Sequence, residues 1–538
     1  MLRISNIKID IIDQDIDIVR TKLCKKLRIN DSEIDYYSIY KESIDARKKD
    51  KISFVYTVDI CSKNEKKILA KKLKDVLYIA SNKYEDVDSG RVAMLQRPVV
   101  VGAGPAGLFA SLLLAQRGYR PILIERGQDV DTRTQDIDNF WNSGILNDSS
   151  NVQFGEGGAG TFSDGKLTTR IKDIRSEKVL SELVIAGAPE DIIYSYKPHV
   201  GTDILKSVVK NIRHKIIDLG GQVRFSSKLT DIKIKNGKLV SIVINDEEEV
   251  SCQSLILAIG HSARDTYRML NSRGLYMEQK PFAIGARIEH PQDMINKAQY
   301  GKFAGHHRLG AADYRLTSQV ANGRSVYTFC MCPGGSVIAS ASSPGHLVTN
   351  GMSEHARDKE NANSGLLVNI TTEDYGSDHP LAGVDFQEKY EAMAFKLGGS
   401  NYKAPCQLVG DFLEARPSTK IGSVKPSYMP GVKLTDLSLC LPDFVVEAMR
   451  DGILDMDKRL KDFAMHDAIL TGIETRSSAP VRINRDKTSL HSINIENIYP
   501  CGEGAGYAGG IVTAAVDGIK CAEKIIEKYS PLDTKKGY

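Results

Sequence analysis

Three glycines and a distant acid form the most specific chemical pattern in the sequence. Gly102, Gly104 and Gly107 follow a short apolar run and open a helical pattern, and Glu125 ends the next apolar run. In a strand–turn–helix–strand unit these glycines permit a tight turn, let the backbone approach a pyrophosphate and allow close helix–strand packing. A helix N-terminus attracts phosphate, and an acid about 20 residues on accepts hydrogen bonds from a ribose. The pattern predicts a dinucleotide site, because an ordinary glycine-rich turn would leave Glu125 unexplained. The predicted binding residues are Gly102, Gly104, Pro105, Ala106, Gly107, Glu125 and Arg126.

A second glycine-rich stretch follows at residues 155–167. Five glycines in its first eleven positions exclude a regular helix or strand. Such a stretch is either a flexible surface loop or a loop whose backbone N–H groups surround an anion or a flat cofactor. Phe154 and Phe162 favour the second interpretation, since flexible linkers rarely contain large aromatic residues. The predicted cofactor contacts here are Gly157, Gly158, Gly160, Thr161, Ser163, Gly165 and Lys166.

Two later segments also place glycine directly after a buried strand. The apolar run 254–259 ends at Gly260, and the run beginning at Ile498 ends at Gly502 and is followed by an alanine-rich helix, Ile511–Lys528. At both places the backbone is expected to lie close to a bound group. The predicted contacts are Gly260, Gly502, Glu503, Gly509, Gly510 and Ile511.

The first 90 residues predict a separate small α+β module. Strand patterns cover Leu2–Ile11, Tyr36–Ser43 and Lys51–Ile60, and amphipathic helix patterns cover Asp15–Leu27 and Glu65–Ile79. This β-α-β-β-α order is consistent with a ferredoxin-like domain. The module is rich in lysine, which fits either an RNA- or partner-binding surface or simply solvated helix faces. Interspersed acids favour solvated faces.

The remaining chain predicts an α/β fold built on a Rossmann-like dinucleotide-binding domain. Thr202–Leu219 has the apolar stripe of a helix, and Asn236-Gly237 predicts a hairpin turn between strands. From about residue 275 to 485, short strand patterns alternate with long polar loops, as expected of an α+β substrate domain inserted into the dinucleotide fold. The predicted divisions are 1–90 for the N-terminal domain, 95–272 and 488–530 for the dinucleotide-binding domain, and 273–487 for the insertion.

Composition excludes several classes of protein. The 538 residues carry a net charge of +4, which by itself argues for neither nucleic acid nor membrane as a partner. We find no signal-peptide pattern and no apolar run of membrane-spanning length. The nine cysteines are scattered and odd in number, without the spacing of a disulfide framework or a metal site. We therefore expect a cytoplasmic protein without a bound metal.

Candidate catalytic residues lie in the inserted region. Arg287 and His290 lie three positions apart at the end of a predicted strand. Arg476 and Arg482 flank a pair of serines shortly before the last glycine motif. Arginines suit bidentate binding of a carboxylate or another anion, although structural ion pairs are equally compatible with them. His290 is a candidate acid/base group, but a hydrogen-bonded structural histidine is the simpler interpretation. The thiols of Cys330, Cys332 and Cys501 are interpreted as small buried residues.

Three separated motifs resemble the FAD-binding half of the glutathione-reductase-like flavoprotein superfamily. They are the Gly102–Gly107 motif with Glu125, the strand ending at Gly260, and the strand ending at Gly502. One departure is Gly502-Glu503, where members of that superfamily usually carry Gly-Asp. More narrowly, residues 155–167, 329–335 and 474–482 are similar to a bacterial group of FAD-dependent dehydrogenases, described as NAD(FAD)-utilising dehydrogenases. The resemblance covers most of the chain from about residue 95 onward.

The resemblance implies an FAD-dependent oxidoreductase that transfers a hydride between flavin and a small molecule. The candidate arginines suggest that this molecule is an anion. NAD(P)H is at most a transient partner, because a second dinucleotide fingerprint and a Cys-x4-Cys redox pair are both missing from the sequence. Two alternatives stay open at this level. One is an RNA-modifying flavoprotein that presents RNA on its lysine-rich N-terminal domain, and the other is a non-catalytic flavin-binding protein.

Overall fold

The computed structural model describes residues 1–13, 17–80, 84–169 and 171–532. The N-terminal region comprises β1 (Leu2–Asp10), α1 (Ile18–Leu27), β2 (Tyr36–Asp45), β3 (Ser53–Cys61), α2 (Glu65–Ala70) and β4 (Val76–Tyr78). The next region comprises β5 (Val92–Ala93), β6 (Val99–Val101), α3 (Pro105–Gln116), β7 (Ile122–Ile124), α4 (Val130–Ser143), α5 (Arg175–Ile185), α6 (Thr202–Asp218), β8 (Gln222–Arg224), β9 (Leu229–Lys235), β10 (Lys238–Ile244), β11 (Glu248–Ser251), β12 (Leu255–Leu257) and α7 (Arg264–Ser272).

The third region comprises β13 (Met277–Gln279), β14 (Phe282–Pro291), α8 (Gln292–Tyr300), β15 (Thr317–Gln319), β16 (Ser325–Cys332), β17 (Ser336–Ala339), β18 (Thr349–Met352), β19 (Asn361–Ile370), α9 (Ala382–Leu397), β20 (Ala404–Leu408), α10 (Val409–Leu413), β21 (Val432–Leu434), α11 (Asp443–Asp457), β22 (Ile469–Glu474) and β23 (Val481–Ile483). The chain then returns to the second region through β24 (Ile498–Pro500), α12 (Ile511–Lys528) and β25 (Tyr529–Ser530).

The N-terminal region forms an antiparallel sheet in the order β2-β3-β1-β4, which is ferredoxin-like. The fourth strand corrects a prediction, because the helix predicted over Glu65–Ile79 ends at Ala70. Lys72 and Asp75 have φ angles of 48° and 66°, which a helix cannot contain, and Val76 then pairs with Ile4. Residues 15 and 16 of the predicted first helix lie outside the described residues.

The dinucleotide-binding region is a parallel sheet in the order β24-β12-β6-β7-β8. Strands β6, β12 and β24 are buried on both faces, which explains their continuous apolar composition. The apolar run 254–259 contributes β12 to the parallel sheet, whereas β11, just before it in the chain, lies in a separate antiparallel sheet with β9 and β10. Because parallel strands end at one edge of the sheet, β6, β12 and β24 bring their following glycine turns together.

The third region is built on a seven-stranded sheet in the order β15-β16-β19-β14-β22-β20-β21. Its central strands β14 and β19 are almost wholly buried, and helices α9 and α11 contribute to the same apolar core. The short pair β13–β23 is antiparallel, and both strands pack into the core of the dinucleotide-binding region. The insertion is therefore fixed to the dinucleotide-binding region where its chain enters and where it leaves. Within the described residues, we find no helix that could cross a membrane.

His290 lies inside the apolar core of the insertion rather than at a cavity. It is 0% exposed, and its Nε2 donates a hydrogen bond to the carbonyl oxygen of Phe463 at 2.8 Å. The rings of Phe463 and Tyr314 lie 5.0 and 6.5 Å from the imidazole. Burial lowers the pKa of His290 to about 4, so the ring is neutral near pH 7. This placement fits a structural histidine and does not support the acid/base role considered from the sequence.

A first prediction concerns the contact between α3 and α12. A Cβ at Gly518 would lie 2.0 Å from the carbonyl oxygen of Ala106, so Gly518→Ala forces the helices apart. We expect a net loss of about 1–3 kcal/mol in the free energy of unfolding, measured in urea. The control is Gly310→Ala, where no atom lies within 4 Å and the effect should stay within about 1 kcal/mol. Equal stability of Gly518→Ala and the parent would contradict the close packing.

A second prediction concerns the pH dependence of stability. Between pH 6.5 and about 4 the unfolded state binds a proton at His290 that the folded state excludes, so stability falls as the pH falls through this window. The cost at the acidic end is about 3 kcal/mol. His290→Gln keeps a donor for Phe463 but does not titrate, so it should flatten the urea stability curve in this window by that amount. An unchanged pH slope would show that His290 is not buried in its neutral form.

Candidate functional site

A cavity of about 400 Å³ lies where the carboxyl ends of β6, β12 and β24 meet the insertion. Most of the residues predicted to bind a cofactor line it: Gly102, Gly104, Pro105, Ala106, Glu125, Arg126, Gly158, Gly160, Ser163, Gly165, Lys166, Gly260, Gly502, Glu503, Gly509, Gly510 and Ile511. Gly107, Gly157 and Thr161 lie behind this lining. A Cβ at Gly157 would meet the hydroxyl of Thr161 at 1.9 Å, so these two residues shape the loop from within.

The three glycines of the first motif have different environments. Gly102 has a φ of 98°, and a Cβ there would lie 2.3 Å from the carbonyl oxygen of Ala258. A Cβ at Gly107 would lie 1.8 Å from the carbonyl oxygen of Gly102, so the helix can contact the turn only because residue 107 is glycine. At Gly104 the nearest atom would be 3.8 Å away, the Cα of Gly158. The open side of Gly104 faces the cavity, where a bound group can approach the backbone.

The carboxylate of Glu125 connects the two glycine loops. Its Oε2 accepts a hydrogen bond from the backbone N–H of Ala103 at 2.8 Å, and its Oε1 accepts from Gly127 at 3.0 Å and Gly155 at 2.9 Å. The side chain is buried but reaches the cavity wall. A carboxylate can accept about four hydrogen bonds, so one position remains for a ligand hydroxyl.

The second glycine loop is fixed in place, which argues against the flexible-loop alternative. Arg133, on α4, is fully buried and donates to the carbonyl oxygens of Asn151, Val152 and Glu156 at 2.8, 2.9 and 2.6 Å. This anchor was not predictable from the sequence, since an arginine in a polar helix is ordinarily exposed. A Cβ at Gly158 would lie 2.9 Å from the Cα of Gly104, so the loop packs directly on the first motif.

An ionic cluster lies at the end of the second loop. Asp164 is 1% exposed and pairs with Arg357, whose Nε lies 2.9 Å from Oδ1, and with the Lys166 Nζ at 3.6 Å from Oδ2. The Lys166 Nζ is buried and has no hydrogen-bond partner among the described residues. Burial lowers the pKa of Lys166, but the charge of Asp164 outweighs it and the net pKa is raised. Lys166 is therefore a charged donor with unused hydrogen-bonding capacity at the cavity wall.

Of the arginines considered as anion-binding residues, Arg476 lines the cavity but is already paired. Its guanidinium donates to the two carboxylate oxygens of Glu391 at 3.0 and 3.2 Å and to Ser262 at 3.0 Å. Arg264 donates to the same carboxylate at 2.7 and 2.8 Å. Burial would raise the pKa of Glu391, yet the two guanidinium groups hold it far below its usual value. The arrangement is a buried ion cluster facing the cavity.

Arg287 and Arg482 do not line the cavity. Arg287 is 0% exposed and lies behind the wall, with Nη1 3.1 Å from an oxygen of Glu474 and Nη2 3.0 Å from the carbonyl oxygen of Cys330. Arg482 is exposed, with its guanidinium 5.3 Å from the ring centre of Tyr507. The structure thus brings Arg476 to the cavity, Arg287 to its outer layer, and leaves Arg482 and His290 elsewhere.

Five ionisable residues that were not among the candidate site residues line the cavity: Asp164, His261, Cys330, Glu474 and Cys501. Burial raises the pKa of Glu474 to about 7, against the opposing charge of Arg287. His261 Nδ1 lies 3.7 Å from Glu503, and its Nε2 has no partner among the described residues. His261 directly follows Gly260, and the others lie inside segments singled out from the sequence. The positions of these segments were therefore a usable signal, but the sequence did not show which side chains point into the cavity.

The remaining thiol considered from the sequence, Cys501, also lines the cavity. In the described structure its sulfur, a carboxylate oxygen of Asp517 and the sulfur of Cys521 lie within 4.8 Å of one another. Arg485 donates to both oxygens of Asp517, at 2.6 and 2.9 Å, and to Cys521 at 3.7 Å. The guanidinium supplies the positive charge at this cluster, so the geometry does not call for a metal ion.

A second, wider cavity of about 1080 Å³ adjoins the first and shares Lys166 and Thr168 with it. The N-terminal domain contributes Tyr40 and Lys41 to its wall. The domain is held there by Glu42, whose backbone exchanges hydrogen bonds of 2.7 and 2.8 Å with Tyr194 and Tyr196. The N-terminal domain is therefore part of the approach to the inner cavity.

The inner cavity fits an extended dinucleotide. The N-termini of α3 and α12 both open into it, at Gly104 and Gly510, and each offers free backbone N–H groups. The space beside Gly260 and Gly509 is also open, with no atom within 4 Å of an added Cβ. Together with the remaining acceptor position on Glu125, these features match the requirements of FAD.

Three family models match the chain. Residues 100–148 match an NAD(P)-binding Rossmann-like domain, and residues 281–477 match a model described as "FAD-dependent protein, C-terminal domain-like". Residues 1–61 match a domain of unknown function, DUF8436. The first two matches fall on the two regions that enclose the inner cavity.

Solved structures similar to the chain include a triple mutant of the flavin-dependent brominase Bmp2, with 12% identity, 80% of each chain covered and a TM-score of 0.36. Another is glycine oxidase from Bacillus cereus ATCC 14579, with 10% identity, 80% of this chain and 94% of that one covered, and a TM-score of 0.30. Similarity at this level says nothing about reaction or substrate.

A full-length relative shows a much closer match. A protein of Clostridium beijerinckii (strain ATCC 51743 / NCIMB 8052), described as "Uncharacterized protein", is 56% identical over 530 residues, covering 98% of this chain and 99% of the relative. The two chains therefore share one domain arrangement throughout. Since the two matched regions of this chain are of the FAD-dependent and Rossmann-like types, the chain belongs, with this relative, to a family of FAD-dependent proteins.

Proposed function

We propose that the protein transfers a hydride between bound FAD and a small anionic molecule. The observation that supports this most strongly is that one cavity contains both the dinucleotide cradle, formed by the glycine turns after β6, β12 and β24 and by the loop 155–167, and several ionisable side chains. Glu474 comes from the insertion, and Lys166 and His261 come from the dinucleotide-binding region. A cofactor held for structural reasons alone would not require Lys166, Glu474 and His261 beside it. Bound FAD would supply a two-electron acceptor at this place.

Specific residues would hold the cofactor. The pyrophosphate would bind the N–H groups at the start of α3 beside Gly104, and the adenosine ribose would bind the free acceptor position of Glu125. Glu503 would bind the ribitol hydroxyls. The N-terminus of α12, at Gly509 and Gly510, would favour negative charge on the flavin through its dipole.

The substrate is inferred to be an anion because of Lys166. Arg287 and Arg476 are held in ion pairs by Glu474 and Glu391, whereas Lys166 and Arg357 share the single carboxylate of Asp164. The cluster of Lys166, Asp164 and Arg357 therefore carries one excess positive charge, with the Lys166 Nζ as its unsatisfied donor. The wider cavity provides a path to it.

Glu474 is suited to hold or release a proton during turnover. Its carboxyl reaches the cavity wall, and its pKa of about 7 allows both protonation states near neutral pH. NAD(P)H is proposed only as a transient co-substrate, entering the same cavity, because the chain carries one dinucleotide fingerprint.

A third prediction tests the cofactor site. A leucine at Gly104 fills the space against which the pyrophosphate would lie, so Gly104→Leu should reduce bound flavin per chain by roughly tenfold or more, a cost above about 1.4 kcal/mol. Flavin is measured by absorbance after purification. The exposed Gly310→Leu variant is the matched control and should retain it. Full flavin content in Gly104→Leu would refute the site.

A fourth prediction tests the reaction and the anion. Anaerobic photometry of the flavin-loaded protein with NADH, NADPH and a panel of small carboxylates and phosphates should find a compound that bleaches the flavin. For that compound Lys166→Met should raise KM by roughly tenfold or more, because a charge-assisted hydrogen bond is lost.

The control is Lys172→Met, an exposed lysine in the wider cavity, which should change KM much less. A flavin that no compound bleaches would indicate a non-catalytic cofactor. Equal effects of the two lysine variants would contradict the anion role of Lys166.

A further inference from the structure

Two cysteines lie at an irregularity in β16 beside the inner cavity. The pairing of β16 with β19 shifts between Phe329 and Cys332, and Cys330 takes a φ of 43°, which L-residues rarely adopt. Cys330 lines the cavity, whereas Cys332 is 0% exposed behind it. The bulge therefore presents one thiol to the cavity and keeps the second within reach of it.

The two thiols lie next to each other and close to cationic side chains. The Cys332 thiol donates a hydrogen bond to the Cys330 carbonyl oxygen at 3.3 Å, and it is close enough to the Cys330 sulfur to stabilise a thiolate there by a hydrogen bond. The Arg287 Nη2 lies 3.7 Å from the sulfur of Cys332. Lys166, with its buried and unpartnered Nζ, acts on Cys330 from the glycine-loop side. Cationic groups thus lie on both sides of the pair.

These contacts make the two thiols unequal. The hydrogen bond from Cys332 lowers the pKa of the Cys330 thiol to about 6; burial and Asp164 oppose this, and Lys166 and Arg287 add to it. The pKa of Cys332 is raised well above its usual range by the same hydrogen bond and by burial. Glu474 is the further titratable group that acts on Cys330. The arrangement is a thiolate in the cavity with a protonated thiol behind it.

We propose that Cys330 and Cys332 form a reactive dithiol that reduces small disulfides entering the inner cavity. Cys330 is the attacking sulfur and Cys332 the resolving one. This inference adds small disulfides to the reactants of the proposed function. It rests on the proposed function only because the cysteine pair adjoins the proposed cofactor site. The chemistry itself needs no bound flavin.

The reaction balances without a further reagent. The Cys330 thiolate attacks one sulfur of a disulfide R–S–S–R, forming a Cys330–S–S–R bond and expelling R–S⁻. Cys332 passes its proton to this leaving thiolate, attacks the sulfur of Cys330 and expels the second R–S⁻, which takes a proton from solvent. The protein pair loses two electrons and becomes a disulfide, and the small disulfide gains them as two thiols.

The chain provides internal controls for a test. All nine cysteines are free, and only Cys24, Cys61 and Cys330 are partly accessible. Alkylation of the full-length protein by iodoacetamide, followed peptide by peptide in the mass spectrometer from about pH 5 to 9, reports each thiol separately. We expect Cys330 to react with a midpoint near pH 6 and, at that pH, roughly tenfold faster than Cys61, after allowing for the lower nucleophilicity of a low-pKa thiolate.

Variants of Cys332 test the origin of this reactivity. Cys332→Ala removes the hydrogen-bond donor and should move the Cys330 midpoint toward the ordinary thiol value of about 8.5. Cys332→Ser keeps a hydroxyl donor and should retain most of the shift. Because the wild-type measurement stands alone, a variant that fails to fold leaves the test intact.

Glutathione disulfide, an anionic small disulfide, tests the exchange. Wild-type protein should release two thiols per chain and form a Cys330–Cys332 disulfide, seen in peptide maps. Cys332→Ser should stop at a glutathione adduct on Cys330 after releasing one thiol, and Cys330→Ser should react no more than the background set by Cys24 and Cys61.

Two results would overturn the proposal: alkylation of Cys330 no faster than that of Cys61 at pH 6, or a wild-type protein that keeps glutathione on Cys330 without forming the internal disulfide. Neither measurement uses flavin or a hydride substrate, so a negative outcome leaves the oxidoreductase proposal to its own tests.

Discussion

The geometry of the inner cavity depends on one buried carboxylate, that of Glu125. Its two oxygens accept hydrogen bonds from Ala103, Gly127 and Gly155, which belong to the first motif, the strand end and the second loop. A buried carboxylate without these donors would cost several kcal/mol, so the three segments are held together by the need to satisfy it. Loss of this side chain would release both loops that form the cradle.

Charge pairing in the wall decides which side chains remain available. Arg264 and Arg476 share Glu391, and Arg287 is bound to Glu474, so these arginines are committed to structure. The groups that remain available are a cation without a hydrogen-bond partner and a carboxyl group that titrates near neutral pH. The Lys166 Nζ has a carboxylate neighbour but no hydrogen-bond partner among the described residues, and burial raises the pKa of Glu474 to about 7 although Arg287 is bound to it. The proposed function therefore depends on Lys166 and Glu474 rather than on the paired arginines.

The fold was predictable from the sequence where the pattern is local. The glycine spacing, the helix Thr202–Asp218 and the two strands of the hairpin at Asn236 follow from short-range sterics and periodicity. The prediction was wrong at Glu65–Ile79, where the helix stops after six residues and a short strand pairs with Ile4. That strand is fixed by its partner far away in the chain, and its own three residues carry no helical or strand period that decides between the two.

The sequence by itself determined the cradle, because Gly102, Gly107 and Gly158 occupy backbone positions where a side chain would collide with neighbouring backbone. Only the tertiary structure decided the chemistry of the wall. It placed Arg287 behind Glu474, buried His290 against Phe463, and turned Cys330 into the cavity through a bulge in β16. Side-chain direction and pairing depend on neighbours hundreds of residues apart, and a pattern read along one chain carries no information about them.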